Sequence, residues 1–195
     1  MLLLIKWRLS SDLIIEEAEM LKAVSITIVG VLVFVTNVNA EPQYKGQQQR
    51  DIKAFSQSDI DGYLTGKGMG LAKAAELNHY PGPSHVLDLA KKLNLTNAQI
   101  NKTQHLFNKM QSKAVELGKQ IVEKEQELDQ LFADGSIDEG VLEKMLQEIG
   151  VLQAKLRYVH LSAHLEQKQI LTRHQVMLYD KARGYGEGSR HMHNH

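Results

Sequence analysis

Two histidines, His160 and His164, are the residues whose type and spacing most directly suggest chemistry in this 195-residue chain. Four apart on a helix, their imidazoles project from one face at a spacing that suits a shared divalent ion. Other histidines are candidates to complete the site. His79 and His85 sit around Tyr80-Pro81-Gly82-Pro83, a rigid turn able to fold back onto a helix, and His191, His193 and His195 occupy the C-terminal tail. Zinc, nickel and copper all accept imidazole, so ligand type does not choose among them. The plain alternative is that His160 and His164 flank the apolar stripe of their helix as exposed or partly packed side chains.

No other pattern adds a reaction. There is no His-Glu-x-x-His, no nucleophile elbow and no cysteine, so an enzyme is not expected. Gly66, Gly68 and Gly70 precede a short helix, but no strand comes before them and no Lys-Ser/Thr follows, which excludes a phosphate loop. The formal net charge is zero, which removes the electrostatic case for nucleic acid.

The elements that must position these histidines lie between two copies of one motif. Leu95-Thr96-x-x-Gln99 and Leu171-Thr172-x-x-Gln175 each read as a helix start, in which Thr caps a free backbone N–H and Gln reaches back to the N–H of the cap. After the first copy an apolar seam runs through Ile100, Thr103, Phe107, Met110, Ala114, Leu117, Ile121, Leu128 and Leu131, interrupted at Lys124. Asp134-Gly135 stops that helix, and Ser136-x-x-Glu139 reads as the capping box of the next. Its seam is Leu142, Met145, Ile149, Leu152, Leu156, Val159 and Ala163. Two seams joined by so short a turn fold back on each other, with arms of roughly 45 to 55 Å at about 1.5 Å per residue. The expectation is an all-α chain: a long antiparallel helical hairpin with short flanking helices at its N- and C-terminal ends. So small a core favours a homodimer. Met110 falls level with the histidine pair but belongs to the seam, while Glu123 and Glu125 lie far down the arm.

Ahead of this region, Ala23 to Val38 is an apolar run after Lys22, ending in Val38-Asn39-Ala40 before Glu41, a pattern suited to signal-peptidase cleavage. Acids at 12, 16, 17 and 19 occupy the place of a basic n-region, so Met20 is the expected start of translation. The run is shorter than the roughly 20 residues that span a bilayer, which favours a cleaved signal peptide and a periplasmic protein over an inner-membrane anchor. The expected organisation is a signal-peptide region over 1–40, a flexible leader over 41–57, a helical domain over 58–185 and a histidine-containing tail over 186–195.

Paired Leu-Thr-x-x-Gln boxes around a helical hairpin in an exported chain resemble the Spy/CpxP-like superfamily. Gly68 to Ala72, Ala75 to Asn78, Tyr80 to Leu87 and Leu156-Arg157-x-x-His160-Leu161-x-x-His164 are similar to its heavy-metal-resistance and periplasmic-sensor branch, over residues 58–185. The resemblance implies an all-helical, often dimeric, non-catalytic protein of envelope-stress or heavy-metal response that binds divalent metal, with a membrane-bound regulator as partner. Its alternative is an ATP-independent chaperone, offering Lys102, Lys109, Lys113 and Lys119 beside apolar patches to unfolded periplasmic proteins.

Overall fold

Thr96 shows how the sequence sets the architecture. Its backbone is extended, its hydroxyl accepts the Gln99 N–H at 3.2 Å, and the Gln99 amide oxygen accepts the Thr96 N–H at 3.0 Å. From that capping box a proline-free helix runs to Ala133. Thr172 and Gln175 repeat the arrangement at 3.2 and 2.9 Å. A computed structural model describes residues 42–185, so the region read as a signal peptide, Met20 and the tail histidines His191, His193 and His195 lie outside the described residues. The chain divides into two units, Met1–Lys45 and Gly46–His195.

After one 3₁₀ turn at Gln47–Gln49, the second unit contains α1 (Gln57–Leu64), α2 (Lys73–Glu76), α3 (Pro83–Asp88), α4 (Asn97–Ala133), α5 (Glu139–Ile170) and α6 (Arg173–Arg183). Among the described residues there is no strand, and no helix is long and apolar enough to cross a membrane. The long pair α4 and α5 forms the body. Thr103 meets Gln167, Lys109 meets Glu166 and Lys124 meets Glu148, so the two helices run in opposite directions. Thr103, Ala114, Leu117 and Ile121 from one seam and Met145, Ile149, Leu156 and Ala163 from the other are buried. Lys124, the interruption, keeps its charge at the edge by pairing with both Glu127 and Glu148 at 2.9 Å.

The turn between the long helices departs from the expected Ser136-x-x-Glu139 box. Gly135 takes a positive φ of 65°, the Ser136 N–H bonds Leu131 O, and the Gly135 N–H bonds Phe132 O, which closes α4 as a Schellman turn. With Ser136 committed to that turn, Asp138 caps α5 by accepting the Val141 N–H at 2.8 Å, where a carboxylate also complements the helix dipole.

Two apolar clusters hold the short elements. Ala114, Leu117, Ile121 and Leu156 pack with Phe55, Tyr63 and Leu71, and there α1 crosses α4 so closely that a Cβ on Gly118 would stand 2.1 Å from Tyr63 O. Val86, Leu93, Leu171 and Tyr179 form the second cluster, which α6 completes. The helix that Pro83 opens ends at Asp88, and Leu93, beyond it, is fully buried. The segment expected as a flexible leader is fastened from Ile52 onward. Ile52 is buried, and both the backbone N–H and the ammonium of Lys53 bond the Asp129 carboxylate, at 3.0 and 2.8 Å.

Candidate functional site

Helical spacing puts His160 and His164 on one face of α5, and that face packs against α2 and the Tyr80–Pro83 turn instead of flanking the stripe in solvent. His160 is 3% exposed and His164 8%. His164 donates from Nδ1 to Tyr80 O at 2.7 Å, which leaves Nε2 as the lone-pair nitrogen of the neutral ring. Gly82 lies directly on that ring. A Cβ there would come within 2.8 Å of Cε1 and 2.9 Å of Nε2, so only glycine leaves the imidazole in place. The Tyr80 ring is fixed in turn by the Lys168 ammonium, 3.6 Å from its centroid.

Glu76, the last residue of α2, brings a carboxylate to the same place. Its Oε1 accepts the Tyr179 hydroxyl at 2.5 Å and lies 3.4 Å from Arg183 Nε, His85 Nδ1 and the Tyr185 hydroxyl. Burial, together with the bond to Glu76, holds the Tyr179 phenol far above its ordinary value, so it stays a donor. The second oxygen, Oε2, is buried, has no hydrogen-bond partner, and lies 3.8 Å from His164 Nδ1. His160 Nε2 is likewise buried and unpartnered. Desolvation, followed by the neighbouring His164, lowers the His160 pKa below 6.5, which favours the neutral ring a metal requires.

Glu76, His85, His160 and His164 all line one pocket of 580 Å³, together with the glycine-rich stretch 66–70, Phe107 and Met110. The chemistry of these donors, imidazole nitrogens and a carboxylate oxygen, suits a divalent transition metal. Their convergence is incomplete: among the described residues no three His, Cys, Asp or Glu side chains stand close enough together to hold a metal ion. The ring atom of His164 nearest Glu76 is Nδ1, already committed to Tyr80, so a shared cation requires the Glu76 carboxylate to turn toward Nε2.

The other candidates sort clearly. His85 joins the pocket. His79 does not; its Nδ1 pairs with Asp180 Oδ2 at 2.8 Å on the surface, from a backbone with φ of 65°. Thr96 with Gln99 and Thr172 with Gln175 cap helices as read, whereas Leu95 and Leu171 pack in the apolar cluster under α6; Leu171 and Gln175 are buried. Sequence reasoning missed Glu76, Gly82, Tyr179 and Arg183. Glu76 stands within the Ala75 to Asn78 stretch that carries the resemblance, but its partner Tyr179 is 103 residues away, which no local pattern reveals. No protein-family model, curated protein or solved structure matches this chain.

Proposed function

We propose that this chain is a non-catalytic, periplasmic, Spy/CpxP-like protein of heavy-metal or envelope-stress response, in which a helical hairpin carries a divalent-cation site built on His160 and His164. One observation carries the reading: His160 Nε2 and Glu76 Oε2 are buried polar atoms without hydrogen-bond partners, and both residues line the same pocket. An unsatisfied buried polar atom costs about 1–3 kcal/mol, and a bound zinc, nickel or copper ion relieves that cost for both. In this reading His85 assists, the tail histidines supply further ligands, and the occupied protein acts on a membrane-bound regulator. The test is calorimetric titration with zinc, nickel and copper of the chain, of a version ending at Tyr185, and of His160→Ala with His164→Ala. Binding that survives truncation and is lost in the double variant supports a folded site; binding that vanishes with the tail removes it.

A second reading, the ATP-independent chaperone working as a homodimer, is favoured by a different feature. Val151, Tyr158 and Leu165 are 52%, 71% and 54% exposed and recur every seventh residue, with Ala154 and Leu161 between them, on the side of α5 away from its core. Such a stripe is the seam of a helix partner or a contact for apolar client segments. Electrostatic capture of clients is weaker than composition suggests, because Lys113 is paired with Glu116 at 2.9 Å and Lys109 lies 3.9 Å from Glu166. A chaperone suppresses client aggregation whether or not His160 and His164 are present, and this separates the two readings.

A further inference from the structure

We infer that the glycine-rich stretch 66–70 is an anion-binding loop, and that its pocket takes a small amphiphile, with a carboxylate or phosphate head on the loop and an apolar chain along Phe107 and Met110. The inference is independent of the cation-site reading and uses none of its ligands. The stretch lacks the phosphate-loop motif, yet it has a defined shape. Gly66 and Gly70 take positive φ of 67° and 80°, and Met69, without the freedom of glycine, takes 43°. The Leu71 N–H bonds Gly68 O at 2.7 Å, closing a turn whose two central residues both have positive φ. Two contacts hold the loop in place. Gly66 rests on α4, where a Cβ would come within 3.1 Å of Gln111 O and Val115 Cγ2. The Met69 sulfur lies on buried Gly62 of α1, where a Cβ would collide with it.

The groups this loop leaves free are all donors. Among the described residues the N–H groups of Gly68, Met69 and Gly70 have no hydrogen-bond partner, and neither Lys67 nor Lys73 forms an ion pair. Lys73 folds back over the loop, its Nζ 3.7 Å from where a Gly70 Cβ would stand. Successive free N–H groups beside ammonium groups favour an anion. Glu76 is the one carboxylate lining the pocket, and Arg183 already stands 3.4 Å from it, so the two lysine charges remain uncompensated. Behind the loop the wall is apolar: Phe107 and Met110 line the same pocket, as do Met69 and Leu77, which are 42% and 58% exposed. A volume of 580 Å³ suits a small organic ligand. An inorganic anion would leave that wall in water, and an uncharged apolar molecule would leave the lysines unused; an amphiphilic anion meets both.

The experiment is calorimetric titration of the full chain with dodecanoate and dodecyl phosphate below their micellar concentrations, with acetate, and with dodecyltrimethylammonium. Amide chemical shifts are followed by NMR, and flotation with phosphatidylglycerol vesicles tests a lipid surface as the source of the head group. The parent should bind both dodecyl anions saturably, and the shifts should move first at the amides of 68–70. Acetate, and the parent's affinity for dodecanoate after Lys67→Ala with Lys73→Ala, should each be weaker by about tenfold or more. Both lysines are exposed, so the double variant keeps its fold, which circular dichroism checks. The inference is overturned if the double variant binds dodecanoate as tightly as the parent, or if dodecyltrimethylammonium binds as well as dodecanoate. It is also overturned if the shifts move elsewhere and leave 68–70 unchanged, or if the parent floats with vesicles but binds neither dodecyl anion.

Discussion

Gln99 and Gln175, the last residues of the two capping boxes, bond to each other: Gln99 Nε2 donates to Gln175 Oε1 at 2.8 Å, and Gln175 Nε2 lies 3.1 Å from Gln99 Oε1. The same amide nitrogens reach Ile170 O and Leu93 O, so the pair joins the starts of α4 and α6 to the end of α5 and the loop before α4. The repeated motif thus does more than start two helices; it fastens their starts together.

Replacing either glutamine with alanine removes a cap and leaves buried carbonyls without donors. Gln175→Ala, the more buried of the two, should cost about 2–3 kcal/mol, combining a cap of about 1 kcal/mol with an unsatisfied group of about 1–3 kcal/mol. Urea unfolding of both single variants and the double should show non-additivity of at least about 0.5 kcal/mol. Simple additivity would mean that the amide pair contributes nothing.

Gly118 and Gly150 both lie inside long helices, yet alanine should act in opposite directions at the two. At Gly118 the new Cβ meets the Tyr63 backbone at 2.1 Å, so α1 must move, at a cost of about 1–3 kcal/mol. At Gly150 nothing lies within 4 Å, and alanine should stabilise α5 by about 0.5–1 kcal/mol. Thermal melts of the two variants check the crossing of α1 over α4; equal shifts would contradict it.

The pH dependence of stability follows from His160. Its folded pKa is lowered, by burial first and then by His164, from an ordinary 6.5. As pH falls the unfolded chain takes up the proton first, so this contribution is fully present above about 6.5 and is lost as pH drops through the lower folded value. His160→Gln should flatten that part of the profile in denaturant titrations. A slope unchanged by the substitution would assign the pH dependence to other groups.

Glutamate at Tyr158, centre of the exposed stripe on α5, should leave helix content and metal titration unchanged, because the stripe and the histidine face lie on different sides of the helix. Sedimentation velocity is the check. If the chain dimerises through this stripe, Tyr158→Glu sediments as a monomer where the parent does not; a dimer unaltered by the substitution would rule the stripe out as its interface.

Much of the fold was legible because it is local or periodic. Thr96 with Gln99, Thr172 with Gln175 and the buried seam from Thr103 to Ile121 follow from spacing alone. The common face of His160 and His164 was legible too, but not its burial, since the covering elements are α2 and a turn some 80 residues earlier. Glu76 was missed for the same reason: its partners come from α6, far away in sequence. Ser136 reads from the sequence as the cap of α5, but the Schellman turn engages its backbone and Asp138 caps the helix instead.

The hydrogen bond from Gln167 to Thr103, at 3.1 Å, lies at the level where apolar packing along the long pair gives way to polar side chains. Seams of alternating three and four residues tolerate slippage by one heptad with little loss of apolar contact. Here a slip of seven residues would set the fully buried Gln167 amide against Met110, without a donor or acceptor to meet it. The pair therefore behaves as a keyed shaft whose axial position is fixed. A change at the histidine face is therefore taken up by side-chain rearrangement, because the buried Gln167–Thr103 bond holds the two long helices in register.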